Sequence, residues 1–313
     1  GVKDGVLVAT VRVDSPAAKA GIKAGDVIST VNDKPITDAD RIHYRESGYF
    51  VLPQVIPASL LRDLRREAAK AHDIAVRLHG PQTQRLAPLK DHAAELDLRP
   101  FRDFDHIEGL NAAIQALLTP EHSLKPTEDA CILFGPRERP WSTEWHRDWR
   151  DHVLEAEFQA EIGDARWRDI ATDFRLWNQV NCPLYEDIST WYVPGSFQRV
   201  HNTPEEMRVF ASTTQQELWD EHHRRTDEEL EDFCLRYCQA MPGAVRLVLN
   251  SGDFCIYRNV GWHIGNYVPY RRRATINTHC FTPAYAKFAA DYGHLLKAVE
   301  AGIERHARLA AAH

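Results

Sequence analysis

The sequence predicts a mainly β fold, a barrel or jelly roll flanked by helices, preceded by a short separate β/α segment. Beyond Cys131 the chain runs through ACILFG, TEWHRDW, DFRLWNQVNC, TWYVPGS, VRLVLNSGDFCIYR and RATINTHCF, short apolar stretches bounded by turn residues. That is how strands and turns alternate in an all-β core. Before Cys131 the apolar residues recur at helical spacing, which places helices around the strands. With 313 residues, 43% hydrophobic and 27% charged, the chain can bury roughly three quarters of its unfolded surface. Disordered and fibrous classes are excluded.

The first stretch, GVLVATVRVDSPAAKAGIKAGDVISTVNDKPI, reads as a strand, a short helix opened by Ser15-Pro16, a Gly-Asp turn and a second strand. Its run SPAAKAGIKAGDVI resembles the front half of a PDZ domain of the protease-associated kind, over residues 1–35. A PDZ domain captures a C-terminal peptide as an added strand, so the resemblance implies a protein contact here. The following ITDADRIHYRESGYFVLPQVIP does not continue that fold, and the expected role is a structural appendage with an incomplete groove. A piece shorter than ~40 residues leans on its surroundings to fold.

Residues 36–313 are expected to form the second domain. Thr37 or Asp38 caps a helix through Arg45, Gly48 stops it, and Tyr49-Phe50-Val51-Leu52 is a short buried strand. An amphipathic helix follows with Leu61, Leu64, Ala68, Ala71, Ala75 and Leu78 on one face, closed by Gly80-Pro81. Residues 81–130 mix helix and loop, with one helix around Leu110 to Leu118. A helical insertion at 204–240 interrupts the strands: Thr226-Asp-Glu-Glu229 is a capping box, and Leu230, Phe233, Cys234 and Tyr237 share a face. Its eight acidic residues and two arginines between Glu217 and Asp232 read as a solvated surface.

A net charge of −7 argues against nucleic-acid binding, which leaves a basic footprint. No apolar run approaches the ~20 residues that cross a bilayer. The six cysteines form no CxxC pair and are expected as buried reduced thiols in a cytoplasmic protein. The chain begins at Gly1, which leaves room for a leader already removed.

The chemistry concentrates in His146-Arg147-Asp148. On a strand, residues i and i+2 face the same side, so the imidazole and the carboxylate share one interior while Arg147 faces away. A second imidazole completes a two-histidine, one-carboxylate triad, which leaves open positions on Fe(II). His263 is the best candidate, at the end of a strand begun by Phe254-Cys255-Ile256-Tyr257. Ten residues further on lies Arg273. Arg273 and Thr275 face one side of the next strand, where a guanidinium and a hydroxyl can hold the far carboxylate of a dicarboxylic acid. Arg271 and Arg272 compete for that role.

From Ile36 to Phe281 the chain resembles the phytanoyl-CoA dioxygenase family of Fe(II)- and 2-oxoglutarate-dependent oxygenases. The resemblance rests on YRESGYFVLPQVIP, the HRD at 146–148, Val193-Pro194-Gly195-Ser196, GDFCIY, His263 and Arg273-Ala-Thr-Ile-Asn. It implies a double-stranded β-helix of the cupin-like kind, Fe(II) held by His146, Asp148 and His263, and 2-oxoglutarate as co-substrate held by Arg273. O2 and a small-molecule substrate are the remaining partners, and the product is a hydroxylated substrate with succinate and CO2. It also implies that Trp177, seventeen residues before Pro194, lines the 2-oxoglutarate pocket. The chain departs from the family at Phe197, where a His is usual, with His201 four residues later.

Two other readings remain open at this stage. A cupin-like metalloenzyme without 2-oxoglutarate keeps the triad and has no need of Arg273. A non-catalytic peptide-binding scaffold draws on the PDZ-like piece alone. A protein kinase is excluded, because the Asn five residues after the HRD aspartate is replaced by Val153 and no Gly-rich phosphate loop occurs.

Overall fold

A computed structural model of the chain describes residues 6–7, 27–28, 36–213 and 215–310. The chain divides into two compact units, Gly1–Pro35 and Ile36–His313. In the first unit two short strands, β1 (Val6–Leu7) and β2 (Val27–Ile28), pair antiparallel, Val6 opposite Ile28. The expected helix at Ser15-Pro16 and the expected peptide contact fall outside the described residues.

The second unit opens with α1 (Asp38–Ser47), capped by Thr37 in a reciprocal box with Asp40 and ended by Gly48 in the left-handed region. Strand β3 (Tyr49–Leu52) leads to the long α2 (Ala58–His79). Leu64, Ala68, Ala71 and Ala75 of α2 are buried as the spacing required, but Leu78 is 52% exposed and Ile74 takes the buried place. Then come β4 (Arg85–Leu86), α3 (Arg99–Asp105), α4 (Glu108–Leu117), β5 (Ser123–Leu124), β6 (Cys131–Phe134) and β7 (Trp141–Ser142).

The expected TEWHRDW strand does not form. His146 makes only an isolated bridge to His263, and the chain turns at Asp148 into Trp149, whose φ is +63°. Two helices follow, α5 (Glu155–Glu161) and α6 (Gly163–Thr172). DFRLW is not a strand either: the Asp173 carboxylate accepts the Arg175 N–H at 2.9 Å, closing a turn, and Trp177 takes a φ of +60°. Strand β8 (Asn178–Pro183) starts only after it, followed by β9 (Thr190–Tyr192). The insertion is three helices, α7 (Pro204–Ser212), α8 (Gln215–Arg224) and α9 (Asp227–Ala240), the last with the expected capping box at Thr226 and Glu229. The remaining elements are β10 (Val245–Arg246), β11 (Phe254–Arg258), β12 (His263–Tyr267), β13 (Ala274–Phe281) and α10 (Pro283–Ala310).

Among the described residues of the second unit all strand pairings are antiparallel and make two sheets. The larger has the order β3-β11-β8-β13-β6-β4, with β5 on the end of β13; the smaller has the order β10-β9-β12-β7. Together they form the jelly-roll, or double-stranded β-helix, core with flanking helices.

Strand parity decides what each sheet face carries. On β13, Ala274, Ile276 and Cys280 point outward into the main apolar core, shared with Leu64, Ala71, Phe101 and Ile114 of the helices. On β8, Val180 and Cys182 do the same. The alternate residues, Asn277 and His279 of β13 and Gln179 and Asn181 of β8, face the space between the sheets. The insertion covers the outer face of the smaller sheet, where Trp145, Trp191, Trp262, Tyr237 and Cys238 pack together. No helix among the described residues is long and apolar enough to cross a membrane. All six cysteines are buried and free of disulfides.

Candidate metal centre

Three side chains converge between the sheets. The ligand atoms of His146, Asp148 and His263 all lie within 4.8 Å of one another. Asp148 Oδ1 is 3.6 Å from His146 Nε2 and 3.8 Å from His263 Nε2, and the two rings are 4.2 Å apart. The backbone sets this up: the N–H of His146 donates to the carbonyl of His263 at 3.1 Å, and that of His263 donates back at 3.0 Å.

The outer nitrogens fix how the rings are used. His146 Nδ1 is 2.9 Å from the Glu144 carbonyl and His263 Nδ1 is 3.0 Å from that of Gly261. A carbonyl only accepts, so each Nδ1 carries its proton and each Nε2 presents a lone pair to the centre. Burial first, and then the neighbouring His146, push the His263 imidazole down to about 4, which keeps it neutral at pH 7. Burial opposes the charge on Asp148, but the facing His263 and His146 and a hydrogen bond from Asn259 outweigh it and hold the carboxyl below its ordinary range. Two imidazoles whose Nδ1 atoms are engaged by carbonyls and one carboxylate are a donor set that fits a divalent ion such as Fe(II).

The triad opens on a cavity of about 530 Å³, a size that suits a small molecule. Arg273 lines the same cavity. Its Nε donates to Asp187 Oδ2 at 2.9 Å, and its guanidinium lies over the Tyr267 ring at 4.9 Å. Asp187 is held in turn by the Ser189 N–H at 2.9 Å and hydroxyl at 2.5 Å. Among the described residues Arg273 Nη2 makes no hydrogen bond, so one edge of a fixed guanidinium stays free to grip an anion. Arg271 turns to Glu186 at 2.9 Å, and Arg272 lies over the Tyr185 ring; neither lines the cavity.

Two other expectations meet a different placement. Thr275 shares the Arg273 face but is fully buried, and its hydroxyl donates to Asp187 at 2.7 Å, so it supports the guanidinium and does not reach the cavity. Trp177 donates its indole N–H to the Ile170 carbonyl and packs with Trp149, Trp167 and Phe288, outside the cavity wall. The left-handed turn at Trp177 sends its ring away from the sheets. His201 is exposed beside Asp164 at 3.4 Å. Arg147 does face away from the triad, paired with Asp151 at 2.7 Å and lying over Trp262.

Sequence reading missed Asp187, Asn259 and the inward row on β8 and β13. The signal for Asn277 and His279 was there: continuing the Arg273/Thr275 alternation by two steps reaches both. His152, at the rim, has its ring 6.3 Å from His146.

Fold and donors together describe a jelly-roll protein with a two-histidine, one-carboxylate centre. A PDZ-domain family model matches residues 7–46, so the match continues past Pro35 onto α1. No curated protein matches the chain. Among solved structures, the chain is similar to AviO1 from Streptomyces viridochromogenes Tue57, at 14% identity over 81% of this chain and 98% of that one, with a TM-score of 0.48. It is similar also to HygX from Streptomyces hygroscopicus, solved with nickel and 2-oxoglutarate bound, at 14% identity over 80% and 88%, with a TM-score of 0.48. A third is EctD from S. alaskensis with 2-oxoglutarate and 5-hydroxyectoine, at 16% identity over 82% and 79%, with a TM-score of 0.47.

Proposed function

We propose that the Ile36–His313 unit is an Fe(II)- and 2-oxoglutarate-dependent dioxygenase of the phytanoyl-CoA dioxygenase type that hydroxylates a small molecule. The observation that supports this reading is the shared cavity: His146, Asp148 and His263 line it with their donors close together, and the Asp187-anchored Arg273 lines it too. A metalloenzyme without a dicarboxylate co-substrate has no use for the second feature.

Bound Fe(II), with 2-oxoglutarate and O2, supplies the oxidising power for C–H hydroxylation, with succinate and CO2 released. The chain's own part is positional. His146, Asp148 and His263 would hold the ion beside the cavity that they line. Arg273 fixes the distal carboxylate of the co-substrate, and Asp187, Thr275 and Tyr267 keep the guanidinium from rotating.

The cavity wall favours a polar substrate over an acyl chain. Gln84, Arg85, Thr143, Gln179, Asn181, Asn277 and His279 all bring hydrogen-bonding groups to it, and Leu133 and Ile264 are its aliphatic members. The tryptophans near the motif do not line it. The six disulfide-free thiols support residence in a reducing compartment such as the cytoplasm.

An anaerobic titration with Fe(II) and 2-oxoglutarate, followed by a succinate-release assay over polar metabolites, tests the reading. Asp148→Ala should abolish metal uptake and turnover. Arg273→Ala should raise the 2-oxoglutarate KM at least about tenfold while sparing metal affinity, since a charge-assisted hydrogen-bonded contact is worth about 1.5–3 kcal/mol. Unchanged activity in either variant would refute the scheme.

A further inference from the structure

We propose that Asn259 is a positioning residue that sets Asp148 for metal binding. The inference rests on the reading that His146, Asp148 and His263 hold a metal ion.

Asp148 stands in a turn, where no sheet ladder fixes it. Asn259 supplies what the sheet does not. Its carbonyl accepts the Asp148 N–H at 2.8 Å, and its Nδ2 donates to Asp148 Oδ2 at 2.9 Å. One residue therefore grips both the main chain and the outer carboxylate oxygen. With Oδ2 engaged, the carboxylate cannot rotate freely about its last bond, and Oδ1 is the oxygen left facing His146 and His263.

The amide has one workable orientation. Turned over, it would set Oδ1 against the carboxylate, oxygen to oxygen. In the orientation present, Oδ1 is buried and has no hydrogen-bond partner. A buried carbonyl oxygen left unpaired is destabilising, so this side chain serves Asp148 against its own preference.

Its place in the loop does not depend on that side chain. Next to it, Arg258 is fully buried and donates to the carbonyls of Leu176, Ala171 and Asp173. The Arg258 N–H bonds the Gly48 carbonyl at 2.7 Å, and the Arg258 carbonyl accepts from Gly261 at 2.9 Å and from the Tyr192 hydroxyl at 3.1 Å. Gly261 comes so close to Tyr192 that a Cβ there would sit 2.5 Å from the hydroxyl. The loop is anchored on both sides of Asn259 by other groups.

The test is metal uptake by the metal-free full-length chain, titrated anaerobically with Co(II) and followed by visible absorption, alongside thermal melting of the same metal-free samples. Asn259→Leu keeps the volume and removes the donor; Asn259→Asp keeps the shape and replaces the donor with an acceptor. Both should weaken Co(II) binding about 10–100-fold and change its visible spectrum. The metal-free Asn259→Leu protein loses the unpaired Oδ1 and also the hydrogen bond to Asp148 Oδ2, changes of opposite sign, so it should melt close to the unaltered one. Should Asn259→Leu fail to fold, Asn259→Asp decides. Affinity within twofold of the unaltered protein, or a lowered melting point with unchanged affinity, would overturn the inference. No Co(II) uptake by the unaltered protein would instead overturn the metal reading itself, and this inference with it.

Discussion

His279 links burial to behaviour with pH. Burial pushes its imidazole from 6.5 down to about 4, while the charge of Asp148 pulls the other way. On acidification the unfolded chain takes the proton first, so the stability that depends on a neutral His279 is complete above pH 6.5 and is lost as the pH falls toward 4. The slope reaches about 1.4 kcal/mol per pH unit for one proton. The metal-free protein should therefore show urea midpoints that fall between pH 7 and pH 4.5, and His279→Gln should fall less steeply. Equal slopes would mean that the imidazole is not held neutral by the fold. The triad residues were legible as an HxD pair and one later histidine, although the strand alternation expected to bring His146 and Asp148 to one side does not form and a turn at Asp148 stands in its place. The surroundings of Arg273 were not, because the sequence gives no sign that Asp187, far away along the chain, takes both the guanidinium and the Thr275 hydroxyl.

Among the elements, β13 shows how parity divides labour. Ile276 is fully buried against the helices, and its neighbour Asn277 faces the cavity, bonding Asn181 at 2.8 Å. Ile276→Ala should cost about 2–5 kcal/mol by opening a cavity in the apolar core. Asn277→Ala should cost much less and act on ligand binding instead. Urea unfolding of both variants checks this, and a reversed order would mean that the strand register is misassigned. Strand existence was readable from turn residues and apolar runs, and the cap at Thr226 from its box; at the first helix the sequence left Thr37 and Asp38 both open, and the structure uses Thr37. The segments that failed as strands, around His146 and before Asn178, did so through local hydrogen bonds and left-handed backbone at Trp149 and Trp177, which an apolar pattern does not encode.

In the molecule as a whole, the second unit has its own cores, and Tyr44 is one of the residues that builds them. Fully buried, it donates its hydroxyl to Asn178 at 2.7 Å. Yet it lies within the stretch that matches the PDZ-domain model. Removing residues 1–35 should leave the fold and the proposed turnover intact, whereas removing residues 1–46 takes away α1 and Tyr44 and should give an insoluble or much less stable protein. Circular dichroism melting and succinate release on the two truncations measure the difference; loss of both properties in the shorter truncation would make the first unit part of the working enzyme.

By itself the sequence determined that strands follow helices, that two imidazoles and a carboxylate were available at the right spacing, and that the thiols were buried. These depend on local propensity and periodicity, which neighbouring residues express directly. Only the tertiary structure decided that the cavity beside the triad is lined mainly by polar side chains while the main apolar core lies outside the larger sheet, that Arg273 and not its neighbours lines that cavity, and that Asn259 bonds Asp148. Each of those depends on which distant segments meet, and a meeting of that kind is set by the packing of whole sheets and helices.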